Sequence, residues 1–185
     1  MRSGHAIIQH GRNTGQSRAV RTGVRAARAE IVATLDGDGQ NDPADIPRLV
    51  AELRNGSGAA HVGLVQGVRK MREDNLSKRL ASRMANRIRR WILGDKATDA
   101  GCGIKAFRRE AFLALPYFDH MHRYLVALTM REGWEVRFVE VNHRPRLHGA
   151  SKYSNLQRAL VGIDDLFGVR WLQRRFRGTI DPKEL

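Results

Sequence analysis

The sequence predicts an α/β domain with a mostly parallel central sheet and helices on both faces. Three observations carry this. Short β-branched runs alternate with helical periodicity, the elements near the start follow in the order αβαβ, and an acidic turn sits at the C-terminal end of a buried run. Ala6 to Gln9 reads as a short strand. A helix follows in "RNTGQSRAVRTGVRAARAE", where Ala19, Val20, Gly23, Val24 and Ala27 recur at helical spacing and Asn13 to Ser17 supply turn and N-cap chemistry. "IVATL" is a buried strand. Pro43 opens a second helix running through Ala44 to Leu53, and "HVGLVQGVR" is another strand. Asn75 to Leu93 reads as a long basic helix with Leu76, Leu80, Met84, Ile88 and Trp91 as its apolar stripe. "CGIKAFRRE" is a strand turning into a helix, "WEVRFVEVNHRPR" a strand, and Tyr153 to Phe176 a last helix with a basic end.

At 185 residues the chain has room for one domain with a proper core. Its 33 Lys and Arg against 19 Asp and Glu give a formal charge of +14, which draws polyanions: nucleic acid, anionic lipid or phosphate-bearing substrates. Aromatic content of 6% and the lack of RNP, KH or zinc patterns argue against nucleic acid, although a basic nucleic-acid-binding protein stays the alternative reading. Cys102 is the single cysteine, which excludes an internal disulfide and fits a reducing compartment. It has no neighbouring Cys or His pair, so neither a metal site nor a nucleophile is expected there. No leader or run of roughly 20 apolar residues is found, so a cytoplasmic, peripheral protein is expected.

Against this basic background the stretch "TLDGDGQNDPADIP" gathers acid. A calcium loop is excluded, because the sixth position from Asp36 is Asn41 rather than Gly and the twelfth is Pro47 rather than Glu. A solvated turn stays open, since Asp, Gly and Asn are good turn formers. The position at a strand's C-terminal end favours a ligand corner instead. An Asp-x-Asp pair there suits Mg²⁺ or Mn²⁺ held together with substrate phosphates.

"ATLDGDGQNDPADIP" resembles the Asp-x-Asp-x-Gln region of family 2 glycosyltransferases, in the branch of dolichyl- and undecaprenyl-phosphate sugar transferases typified by dolichol-phosphate mannosyltransferase. "RNTGQSRAVRTGVRAARAE", "GVRKMREDNLSKRLASRMANRI", "TDAGCGIKAFRRE" and "RPRLHGASKYS" resemble further blocks of that family, in the same order. The family's opening Pro-x-Tyr-Asn-Glu and Asp-Asp-Gly-Ser segments do not occur in this sequence. The resemblance therefore implies a Rossmann-like GT-A domain over residues 1–155 that lacks its first strands, followed by a basic helix over 156–185. A fragment without activity is the alternative.

The resemblance also implies roles. Asp38 and Gln40 would ligate Mg²⁺ or Mn²⁺, with Asp36 near the ribose or donor sugar of a GDP- or UDP-sugar. Asp99 matches an acidic position at the catalytic centre, and from sequence alone it is equally an N-cap or turn residue. Lys105 replaces a family Arg near the donor. Arg69, Lys78, Arg79 and Ser82 match positions that hold the acceptor phosphate, and Arg146, Ser151 and Lys152 lie on a Gly-containing loop that closes over phosphate. Without the resemblance, the basic residues read as a solvated helix face. The implied reaction is inverting transfer of a sugar to a polyprenyl phosphate. The last helix joins Leu160, Ile163, Phe167, Trp171 and Leu172 with Arg170, Arg174, Arg175 and Arg177, which fits either core packing or an anionic membrane surface on the inner face of the cell membrane.

Overall fold

The computed structural model describes residues 6–55, 58–69, 87–97, 99, 101–142, 144 and 155–178, with 155–161 described for the backbone alone. The elements in order are α1 (Gln16–Ala26), β1 (Ile31–Thr34), a 3₁₀ turn (Pro43–Asp45), α2 (Ile46–Arg54), β2 (Val62–Arg69), α3 (described over 87–93), β3 (Lys105–Arg108), α4 (Arg109–Ala114), α5 (Leu125–Arg131), β4 (Glu135–Val141) and α6 (Asn155–Arg175). The predicted Lys78, Arg79, Ser82, Arg146, Ser151 and Lys152 lie outside the described residues, as does most of the predicted Asn75 to Leu93 helix.

The four strands form one sheet in the order β1-β3-β2-β4. β3 runs antiparallel to both β1 and β2, while β2 and β4 are parallel. Three strands thus point one way, with β3 inserted against them. Strand direction depends on how the chain returns to the sheet, and the local pattern of "IKAFRRE" does not encode it.

Period-2 alternation distributes the core between the two faces. Leu64 and Phe107 point to one side, where Val24 of α1, Phe112 of α4, Leu125 and Leu128 of α5 and Val169 of α6 cover them. Val65 and Ala106 point to the other, against Leu49 and Leu53 of α2 and beside Ile104 and Val141. Leu49 and Leu53 are fully buried, and each contributes about 1.5–3 kcal/mol of transfer free energy. Phe107 and Phe112 stack with ring centroids 4.7 Å apart, which ties the end of β3 to the helix it feeds.

Three expectations need correction. Residues 6–9 are not a strand: they join no ladder of the sheet, and Ile7 is 96% exposed. A four-residue apolar run has nothing to gain from an extended ladder without a neighbour to pair with. The apolar stripe drawn through Ile88 and Trp91 faces outward, since these residues are 51% and 85% exposed. The α3 face that packs inward carries Ile92 and Leu93, beside the buried Arg89–Asp95 ion pair. Pro43 opens a 3₁₀ turn, and the α-helix proper starts three residues later, with Asp42 accepting from Ala44 N at 3.1 Å. α5 was not anticipated at all; five of its seven residues are buried, so no helical periodicity shows in its sequence.

Candidate active site

β1 ends at Thr34 directly beside Lys105, the first residue of β3, and Lys105 stands opposite Gln66 of β2. The polar ends of three strands therefore meet at one edge of the sheet. Asp36 follows β1. Its Oδ1 accepts from Gln16 Nε2 of α1 at 3.0 Å, and its Oδ2 lies so close to Gly103 that a Cβ there would fall 2.0 Å away. Gly103 is required here for close approach rather than for a special backbone angle. Asp38 Oδ1 accepts from Gln40 N at 3.2 Å, closing an Asx turn that sets the two side chains on one short bend.

On the neighbouring strand end, Arg69 grips Asp99 at two points, Nε to Oδ2 at 2.7 Å and Nη2 to Oδ1 at 2.6 Å, while Arg69 N also donates to Oδ2. Both side chains are largely buried. Charge-assisted fork geometry of this kind fixes the orientation of a guanidinium. Gln66, fully buried beneath them, donates to the carbonyls of Gly67, Asp99 and Cys102 and so ties Asp99 and Cys102 to β2.

Lys105 is buried, and its Nζ donates to Cys102 O. Burial pushes its pKa down, while the charges of Asp36 and Asp99 act in the opposite direction. A buried ammonium between two carboxylates lowers their mutual repulsion. The neighbouring Cys102 thiol is pushed up by burial, in line with the inert role expected of it. The structure thus brings Asp36, Arg69, Asp99 and Lys105 together at one end of the sheet, with the Asp38–Gln40 bend following Asp36 in the chain. Asp38 and Gln40 offer a carboxylate and an amide oxygen, hard donors that fit Mg²⁺ or Mn²⁺ with substrate phosphates completing the shell. Among the described residues no group of three His, Cys, Asp or Glu gathers into a self-sufficient metal site.

The remaining acids of the motif serve another purpose. Asp42 Oδ2 accepts from Arg144 Nη2 at 2.7 Å, Gln40 O from Arg144 N at 2.9 Å, and Asp45 Oδ2 from Asn142 N at 2.8 Å. They clasp the chain as it leaves β4. Asp45 is buried, so it is a structural group rather than a ligand.

Several residues at this corner escaped the sequence reading: Gln16, Gly103, and the pair Ser17–His122. Gln16 carries a weak signal, a polar side chain just after the Gly15 that opens α1. His122 carries none. Its ring is held near pKa about 4, mainly by burial and further by the charges of Arg123 and Lys105. The unfolded chain takes up a proton there near 6.5 and the folded chain only near about 4. The residue's contribution is therefore complete above pH 6.5 and is lost as pH falls towards 4, with on the order of 3 kcal/mol at stake. Urea unfolding at about pH 7.5 and about pH 4.5 should show wild type losing more stability on acidification than His122→Asn. Parallel losses in the two proteins would contradict this.

The comparisons with known proteins bear on the family and the fold. Residues 2–115 match the model of "Glycosyl transferase family 2". Dodecaprenyl-phosphate galacturonate synthase of Rhizobium johnstonii is 36% identical over 171 residues, covering 91% of this chain and 49% of that protein. Undecaprenyl-phosphate 4-deoxy-4-formamido-L-arabinose transferase of Pectobacterium carotovorum is 34% identical over 146 residues, covering 79% of this chain and 43% of that protein. This chain spans about half the length of the curated relatives it matches. Among solved structures, glucosyl-3-phosphoglycerate synthase of Mycobacterium tuberculosis with Mn²⁺, UDP-glucose and phosphoglyceric acid superposes with a TM-score of 0.59 at 18% identity, covering 87% of this chain and 55% of that one. That likeness shows the GT-A fold, and a complex of the same enzyme with Mg²⁺ and UDP superposes equally well. With the family match spanning well over half of its length, the chain belongs to glycosyl transferase family 2.

Proposed function

We propose that this chain carries the metal and acceptor corner of a transferase that moves a sugar from a GDP- or UDP-sugar to a polyprenyl phosphate, with inversion at the anomeric carbon. The observation that carries the reading is the gathering of Asp36, Lys105 and the Arg69–Asp99 pair at one end of the sheet, with the Asp38–Gln40 turn directly following Asp36 in the chain. The names of the relatives, which act on dodecaprenyl and undecaprenyl phosphates, support the acceptor class.

In this reaction an acceptor phosphate oxygen forms a bond to the anomeric carbon while the bond to the nucleoside diphosphate breaks. The attacking phosphate is already an anion at neutral pH, so it needs a positioned cation more than a strong base. Arg69 is that cation, held in a fixed orientation by Asp99. Lys78, Arg79, Ser82, Arg146, Ser151 and Lys152 are proposed to share the phosphate contact. Asp36, steadied by Gln16, accepts from a hydroxyl of the ribose or sugar. Asp38 and Gln40 would hold Mg²⁺ or Mn²⁺, which when bound neutralises charge on the leaving diphosphate.

No helix among the described residues is long and apolar enough to cross a membrane. α6 is apolar on two sides: Leu166, Val169 and Leu172 pack inward, while Ile163, Phe167 and Trp171 are 49%, 61% and 58% exposed. Phe167 and Trp171 share an open groove with Arg170, Arg174 and Arg175. Apolar rings set among arginines suit an anionic lipid surface, and we assign this face to the membrane that carries the acceptor, on its cytoplasmic side.

Titration calorimetry tests the enzyme reading. Mn²⁺ should strengthen binding of UDP or GDP, and Asp38→Ala should remove that effect while leaving metal-free binding unchanged. Wild-type binding of both nucleotides that is indifferent to Mn²⁺ would sink it.

A further inference from the structure

His122 begins the approach to α5, outside the blocks of the family resemblance, yet it is tied to the start of α1, which also holds Asp36. Gln16 reaches Asp36, and the next residue, Ser17, reaches His122. Ser17 is 1% exposed, and among the described residues its hydroxyl has two hydrogen-bond contacts, both with His122. The backbone N–H of His122 donates to Ser17 Oγ at 3.3 Å, and Oγ lies 2.8 Å from Nδ1 of the ring.

These two contacts determine where the ring proton sits. A buried hydroxyl must place its own hydrogen on an acceptor. Among the described residues Nδ1 is the acceptor within reach of Ser17 Oγ, so Oγ donates and Nδ1 accepts. In a neutral ring the proton is then on Nε2. The opposite arrangement, with Nδ1 donating, would leave the buried Ser17 hydrogen without a partner. Neutrality itself follows from burial, reinforced by Arg123 and by Lys105, the same ammonium that flanks Asp36. Nε2–H has no hydrogen-bond partner among the described residues. A histidine kept neutral, fixed in one tautomer and left with a donor to spare is a built hydrogen-bond donor, and it shares Lys105 and the first turn of α1 with the corner where Asp36 is an acceptor.

We propose that His122, oriented by Ser17, donates an Nε2–H hydrogen bond to the sugar of the nucleotide-sugar donor, opposite Asp36. Asp36 accepts and His122 gives, so a sugar placed between them is read on two hydroxyl or carbonyl groups of opposite polarity. A site of this kind discriminates against sugars lacking the matching group. The inference rests on the transferase reading above.

Two substitutions separate the halves of the ring. Asparagine keeps an acceptor oxygen near the Nδ1 position for Ser17 and removes the Nε2 donor. Glutamine places an amide N–H near the Nε2 position. UDP-glucose, UDP-galacturonic acid and GDP-mannose are titrated into wild type, His122→Asn and His122→Gln with Mn²⁺, beside UDP and GDP. For whichever nucleotide sugar binds wild type, His122→Asn should weaken binding about fivefold, and His122→Gln should recover most of the loss. UDP or GDP alone should bind all three proteins within about twofold.

A parallel readout needs no ligand. Long-range ¹H–¹⁵N spectra of the wild-type imidazole should show the Nε2–H tautomer, and an Nδ1–H tautomer overturns the proposal. Equal weakening of nucleotide and nucleotide sugar by His122→Asn, or no weakening of either, overturns this proposal alone. A wild-type chain that binds none of the five ligands overturns the transferase reading and this proposal with it.

Discussion

Asp99→Ala should lower the unfolding free energy by about 3–5 kcal/mol, the cost of removing one partner from a buried ion pair. The carboxylate accepts two hydrogen bonds from the Arg69 guanidinium and a third from its backbone N–H, with both side chains largely withdrawn from water. Against a typical total of about 5–15 kcal/mol, that loss leaves a chain close to unfolding at ordinary temperature. The double substitution Arg69→Met with Asp99→Leu removes both charges together and should recover most of the stability, because apolar replacements avoid the desolvation of two ions. It should not recover sugar transfer, since the cation that positions the acceptor phosphate is gone. Urea unfolding followed by the fluorescence of the 3 tryptophans measures the first effect. A single-mutant loss below about 1 kcal/mol would mean that the pair is no more than a surface bridge.

Gly103→Ala acts in the opposite way, on geometry rather than on stability. The new methyl would stand 2.0 Å from Asp36 Oδ2 and 2.4 Å from its Cγ, so the carboxylate must turn aside and release Gln16 Nε2. The backbone at Gly103 is not in the left-handed region, so alanine itself is not strained there. A displacement of this order in a group that orients substrate costs on the order of 10²-fold in rate, whereas stability should shift by about 1 kcal/mol or less. Gly101→Ala is the matched control: its Cβ would meet Arg69 Nη2 at 3.5 Å, an ordinary contact. Transfer of sugar to undecaprenyl phosphate, compared among wild type, Gly103→Ala and Gly101→Ala, measures the effect. Wild-type rates in Gly103→Ala would show that Asp36 needs no fixed position.

Whatever sequence revealed here, it revealed locally. "IVATL", "HVGLVQGVR" and "CGIKAFRRE" each carry their element in their own residues: β1, β2 and β3 fall within those bounds, and α4 starts inside the last of them. The acidic motif was legible as a corner because it follows one of those strands. Its internal division was not. Asp36 meets Gln16 and Gly103 and Asp38 closes its own bend, while Asp42 and Asp45 hold Arg144 and Asn142, and four aspartates in a row of turn residues carry no mark of which partner each will find. The contact of Ser17 with His122 was invisible for the same reason, since Ser17 reads only as a turn or cap residue, His122 has no motif, and the two lie 105 positions apart. Residues 6–9 failed in the other direction: a pattern suited to a strand does not make one without a neighbour.

The clasp on the β4 exit also bears on how the molecule comes into being. Asp42 meets Arg144 across 102 positions, and Asp45 meets Asn142 across 97. Contacts of such separation cost the most loop-closure entropy and form late in folding. During synthesis the Asp38–Gln40 bend is made early, yet its Arg144 support emerges about 5–20 s later at ordinary elongation rates. For that interval a charged, incompletely held turn is presented to the cell. The last step in maturing this corner is therefore the arrival of Asn142 and Arg144, not the folding of the acidic stretch itself.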